Sequence, residues 1–156
     1  MILFLLLAAA TTHTPPQTAR TVSRAATACL AVTRADVRLA LGRTVGNPQE
    51  ETTPNASTCD YAAGRARVSV TLQRLDRDLD LPAEVAALQR EIEGSSARPA
   101  PAIGPRAFFL DIAGAGTQLH VIRGRDYLLV SVLGFGEGPQ VAAAAEKMAR
   151  AAMARF

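Results

Sequence analysis

Apolar and polar residues alternate most cleanly over residues 67–75, with Val68, Val70 and Leu72 on one side and Ser69, Thr71 and Gln73 on the other. A period of two over this length predicts a strand with one buried face. Just upstream, residues 57–63 place Cys59, Tyr61 and Ala63 on one face, and Gly64 supplies the turn of a hairpin. Three more strands are predicted over residues 107–112, 117–123 and 127–133, separated by glycine-bearing turns at 113–116 and 124–126. The last, YLLVSVL, is apolar on both faces, so it is expected in the middle of the sheet with cover on each side.

Helical patterns fill the remaining positions. Thr33 with Asp36 three residues later makes an acidic capping box, and Val32 with Val37 makes a hydrophobic staple. Gly42 stands where a left-handed C-terminal cap belongs, so a short helix is predicted over residues 34–41, with Leu30 packed beneath it. A second helix starts from Asp80 and Pro82, carries Val85, Leu88 and Ile92 as its buried stripe, and ends at Gly94. After the glycine-rich break at 134–139, a terminal helix sets Val141, Ala145, Met148 and Ala152 in a narrow seam, with Glu146, Lys147 and Arg150 toward water. Residues 46–56 and 95–105 read as irregular connections, the second held by Ile103. The fold class is α+β: a mixed, mostly antiparallel sheet, about three packed helices and one disulfide near the N-terminus. The two halves look broadly alike, without a residue-level repeat.

The N-terminal region has a different character. Ile2 to Ala10 is an unbroken apolar run ending in three alanines, which suits a signal peptide over residues 1–10. It is far short of the roughly 20 residues of a membrane-spanning helix, and its n-region carries no Lys or Arg. Residues 11–28, with a Pro-Pro pair and no apolar period, read as a disordered tether, and residues 29–156 as a single domain. The expected location is extracytoplasmic, periplasmic or secreted, with no stable membrane span after leader cleavage. In that setting Cys29 and Cys59, the only cysteines, are expected to form a structural disulfide tying the first helical segment to the early hairpin. Asn55-Ala56-Ser57 matches the glycosylation sequon; bacterial origin is the expectation here, and in that setting the tripeptide reads only as a turn.

Composition is that of a globular protein, at 49% hydrophobic and 20% charged, with a net charge of +3. The basic residues are sixteen arginines and one lysine, scattered along the chain. Arg65 with Arg67 and Arg123 with Arg125 flank two turns; if those turns shared one end of the sheet, four guanidinium groups would form an anion-binding rim. Absence of Trp and scarcity of other aromatics argue against a nucleic-acid or sugar-stacking platform.

Catalytic chemistry is poorly served. His13 falls in the tether, leaving His120 in a strand with Ser131 on the next one, but no G-x-S-x-G elbow or orienting carboxylate accompanies them. Zinc lacks ligands, and Asp76-Arg77-Asp78-Leu79-Asp80 has Leu81 and Ala87 where a calcium loop needs Gly and Glu. The turn Gly134-Phe135-Gly136-Glu137-Gly138-Pro139 breaks the phosphate fingerprint at Pro139 and places a carboxylate where phosphate would sit. No catalytic residue, cofactor or metal is therefore assigned. The expected function is a non-enzymatic binding or accessory module with a protein or cell-envelope ligand and no nucleic acid. The alternative is a secreted enzyme inhibitor or small hydrolase-like enzyme, and a sensor role would need a pocket between the sheet and a helix.

Cys29-Leu30 before the capped helix ending in Leu41-Gly42, then Cys59-Asp60-Tyr61 entering a strand of alternating valines, resembles a broad group of small exported domains, many of them actinobacterial lipoproteins. Ile103-Gly104-Pro105-Arg106-Ala107 stands where that group has a Gly-Asp-Ala-like turn before a strand. The chain departs from the group in lacking a lipid-acceptor cysteine and in carrying Pro105-Arg106 at the acidic position. The resemblance implies an α+β sheet fold loosely of the PsbP-like kind and brings no catalytic residues with it.

Overall fold

The computed structural model describes residues 27–156, so the leader, His13 and nearly all of the tether lie outside the described residues. A seven-stranded sheet organises the rest, in the spatial order β1-β2-β3-β7-β6-β5-β4. Its strands are β1 (Gln49–Thr52), β2 (Ala56–Ala63), β3 (Ala66–Arg74), β4 (Ser95–Pro99), β5 (Ala107–Ile112), β6 (Gly116–Arg123) and β7 (Asp126–Leu133). Every pairing is antiparallel. The chain makes two meanders, β1 to β3 and β4 to β7, joined side by side where β3 pairs β7 from Arg67–Leu133 to Arg74–Asp126.

Helices cover both faces. On one face lie α1 (Ala28–Ala31), α2 (Arg34–Leu41) and α4 (Pro139–Met153), closing the main core over Val68, Val70, Leu119, Leu128, Val130 and Val132. On the other lies α3 (Leu81–Glu91), whose Val85 and Leu88 pack with Ile92 against Phe108, Leu110 and Ile122. The alternation of β7 explains the division: Leu128, Val130 and Val132 point to the first face, Tyr127 and Leu129 to the second. This is the doubly covered central strand expected from its apolar run.

Local signals account for the helix ends. The Thr33 side chain accepts from the Asp36 N–H while Asp36 accepts from the Thr33 N–H at 2.8 Å, and Gly42 closes α2 at φ 63°. Val32 and Val37 are both fully buried, completing the staple. Asp80 caps α3 by accepting from Ala83 N at 3.2 Å. In α4 the expected seam of Val141, Ala145, Met148 and Ala152 is buried, widened by Ala142, Ala144 and Ala149. Leu30 departs from expectation. It is 61% exposed, and Ala28, Ala31 and Val32 pack into the core in its place.

Two segments read as irregular are edge strands. Residues of β1 are all exposed and polar, and β4 carries Arg98 and Pro99, so neither shows a buried period. Their outer rims are poor templates for further pairing. The bond from Thr53 N to Ala56 O sets Pro48, Glu50, Thr52 and Pro54 outward on β1, and the two prolines have no N–H to offer. On β4 the outward positions are Ser95, Ala97 and Pro99; Ser95 N already binds Ile92 O, which leaves Ala97 as the outward donor.

Cys29 on α1 and Cys59 on β2 form the expected disulfide, with Cα atoms 5.1 Å apart. Tyr61, two residues along β2, donates its hydroxyl to Val32 O between α1 and α2. The helical N-terminus is thereby fixed to the first meander covalently and by a buried hydrogen bond. At the other meander, Gly116 has φ 139° and an added Cβ would fall 2.2 Å from Val132 O, so the β5–β6 turn admits no side chain there.

The Cys29→Ala/Cys59→Ala double variant is expected to lose up to about 3–4 kcal/mol of unfolding free energy in urea titrations, the value for closing a loop of this length. A loss below about 1 kcal/mol would mean that the remaining contacts already restrain α1 in the unfolded chain. Gly116→Ala should cost about 3 kcal/mol or more by the same measurement, from backbone strain and the clash with β7 together.

Candidate functional site

Polar side chains gather in a buried cluster on β6–β7 and in a groove beside α4; another groove, of about 590 Å³, lies by Leu72, Tyr127 and Phe156, with Arg74 already paired to Asp126 and Arg155 to Asp36. In the first, register sets His120 opposite Phe108 on β5 and Leu129 on β7. The imidazole stacks on Phe108 with ring centroids 4.5 Å apart, and its Nδ1 lies 2.5 Å from the Tyr127 hydroxyl. His120 is 1% exposed, and Nε2 has no hydrogen-bond partner. Burial pulls its pKa down to about 4, so the ring is neutral at physiological pH. Burial, with the Glu84 carboxylate of α3 adding to it, pushes the Tyr127 hydroxyl upward. Ser131 sits on the same face but pairs with Gln118 and Ser69, and its hydroxyl makes no hydrogen bond to His120. With 1% of its surface exposed and Phe108 stacked on it, the ring presents no open face to a substrate. The cluster is a polar inclusion in the second core.

The α4 groove is different. It runs between α4 and the β4–β5 edge and encloses about 650 Å³. Its sheet side carries Arg98 and Asp111, opposite one another on β4 and β5 except for a two-residue offset. Arg98 Nε lies 2.6 Å from Asp111 Oδ2, and the guanidinium covers the Phe109 ring at 4.1 Å. Thr117 Oγ1 donates to Asp111 Oδ1 at 2.7 Å. Burial pushes the Asp111 carboxyl up, but the hydrogen bonds from Arg98 and Thr117 outweigh it and hold the pKa below the usual range. Glu137, from the turn before α4, accepts from the Gly114 N–H. Glu146 faces the groove from α4 and forms no salt bridge among the described residues, and Ala142 and Ala143 make the apolar wall. A polar ligand with a positive group, lying along the helix, matches this lining.

No protein family, curated protein or solved structure matches this chain. The site is therefore read from its own chemistry.

The anion-binding rim expected of Arg65, Arg67, Arg123 and Arg125 does not form. Antiparallel pairing of β3 with β7 puts the turn after Ala63 beside Leu133, and the turn after Arg123 beside Arg74, at opposite ends of the sheet. Eight paired positions separate them, about 24 Å along a strand. Each end also uses its cations locally. Arg67 lies 3.7 Å from Asp60, Arg123 Nη1 donates to Met153 O at 3.2 Å, and Arg125 Nε donates to Leu75 O at 2.9 Å. The Gly134–Pro139 stretch serves as the connection into α4, with Gly134, Gly136 and Gly138 all at positive φ and Phe135 packed on the core. Among the described residues no three His, Cys, Asp or Glu side chains converge as metal ligands.

Arg98, Asp111 and Glu146 escaped the sequence reading. Arg98 lay in a segment without periodicity, and the Asp111 partner on β4 becomes visible only once that segment is known to be a strand. Glu146 read as one of several solvent-facing helix charges.

The cluster makes a pH prediction. A histidine with a depressed folded pKa is protonated more readily in the unfolded chain, so its contribution lowers stability as pH drops from 6.5 toward about 4 and levels off below, where the depressed carboxyls of Asp36, Glu50 and Asp111 continue the loss. The loss over that window is on the order of 3 kcal/mol. Urea unfolding at stepped pH should show this slope in the wild type, and His120→Gln should flatten it.

Proposed function

We propose that this chain is a non-enzymatic extracytoplasmic binding or accessory module that receives its ligand in the α4 groove. The groove carries the reading. Its charged lining is held in fixed orientation by Arg98–Asp111–Thr117, and its position between sheet and helix is where a ligand-sensing site would lie. The histidine on which a hydrolase would depend is walled off, which weighs against the enzymatic alternative. The oxidised Cys29–Cys59 pair supports an oxidising compartment. Among the described residues no helix is long and apolar enough to cross a membrane.

The ligand class follows from the lining. Asp111, Glu137 and Glu146 outnumber Arg98, and Asp111 is already neutralised by it, so the groove accepts a group bearing an amine or guanidinium. Short lysine-containing peptides should shift the amide resonances of Gly94, Gly116 and Ala142, while the same peptides acetylated on lysine should not. Ala143→Trp, which fills the groove from an exposed helix position, should weaken the response by about tenfold or more. Equal shifts with acetylated peptides, or an unchanged response in Ala143→Trp, would remove the groove from the account.

A further inference from the structure

The two faces of the molecule differ in charge, and the difference is concentrated in their helices. Residues 27–48 hold three arginines and one acidic residue, Asp36, whose carboxylate is bound by Arg155. The approach to α3 and α3 itself, residues 76–93, hold six carboxylates against Arg77 and Arg90. Since α2 and α3 pack on opposite faces of the sheet, the chain is electrically two-sided although its net charge is only +3.

On α2 the exposed positions form one contiguous arc: Arg34, Ala35, Arg38 and Leu39, followed by Arg43 after the cap. Val37 fills the core on the opposite side, and Asp36 is turned away toward Thr33 and Arg155. Leu39 is 81% exposed at the centre of this cationic arc, the most exposed large apolar residue described. Leu39 buries nothing, Arg38 has no partner in the described structure, and Arg34 puts a cation on the first residue of a helix, the end that favours anions. Arg34 does bond Val45 O at 3.0 Å and Asn47 at 2.9 Å, and the Arg43 guanidinium lies 5.9 Å from the centre of the Phe135 ring without a carboxylate partner, so Arg38 and Leu39 are the residues without a structural explanation and Arg43 keeps an uncompensated charge. Exposed Lys147 stands on α4, which packs against α2.

We propose that the outer face of α2 docks on an anionic lipid bilayer, with Arg38 and Arg43 on phosphate groups and Leu39 as a single apolar wedge. Charge complementarity selects an anionic surface, and guanidinium groups bind phosphate oxygens in pairs. A bilayer fits better than a protein partner because the patch is one convex, eight-residue helix with one apolar tip, well short of the apolar centre of a stable protein interface. The acidic α3 face opposes any reversed approach, so the dipole sets one orientation. In that orientation α2 faces the membrane and α3 the aqueous side. This inference does not depend on the peptide groove.

The test is co-sedimentation of the purified full chain with vesicles of phosphatidylcholine alone or with roughly one third phosphatidylglycerol, in low salt and in high salt. Arg20 and Arg24 are common to the wild type and every variant, so the loss on substituting Arg38 and Arg43 reads the α2 face. Binding should favour the anionic vesicles and fade with salt. Arg38→Glu/Arg43→Glu should weaken it at least about tenfold and Leu39→Ser about threefold, while circular dichroism stays unchanged. Arg65→Glu/Arg125→Glu, with the same change in net charge elsewhere, should have little effect. Equal binding to both vesicle types, equal losses in the two double variants, or binding to an acidic protein such as a polyglutamate chain but not to vesicles would each overturn the proposal.

Discussion

The seam between β3 and β7 is the pairing on which the rest of the molecule depends. Each of the other five strand pairings lies within a meander, between strands that follow one another in the chain. The seam alone joins strands more than fifty residues apart, and it brings Val68 and Val70 beside Val130 and Val132 beneath the helices. Without it neither meander has a second layer broad enough to bury its apolar face. The same pairing fixes the polarity of the turns, which is why the arginines of the two hairpins end up at opposite ends.

What the sequence made legible was whatever had a buried side. The period of two in β3, the doubly apolar run of β7, the capping box of α2 and the alanine seam of α4 each record contact with a core, and each is placed by the structure as read. The strands that were missed, β1 and β4, have no such record because they lie at the edges and face water. The groove was missed with them. Its key pair, Arg98 and Asp111, belongs to an edge strand and its neighbour, so its geometry depends on an element with no periodic signal. Leu30 shows the opposite error, an apolar residue expected inside but displaced by the smaller Ala28 and Ala31, which let α1 lie close to the sheet.

His120 shows how a residue that looks functional in a list becomes structural in context. Its neighbours in the chain, Gln118 and Ile122, say nothing of Phe108 or Tyr127, which reach it across the sheet. Stacking and one hydrogen bond hold the ring, while the unpartnered Nε2 keeps a cost in the core of about 1–3 kcal/mol. The polar group is tolerated only as a neutral ring.

The placement of the two sulfur atoms sets an order of events for a chain that emerges from its N-terminus. Cys29 and Cys59 both precede β3, so the covalent link joins α1 to the first meander and involves none of the second. Oxidation can thus be complete while the partner strand of β3 has yet to appear. A crosslinked template then waits for the remaining half, with fewer wrong arrangements open to it when β7 arrives.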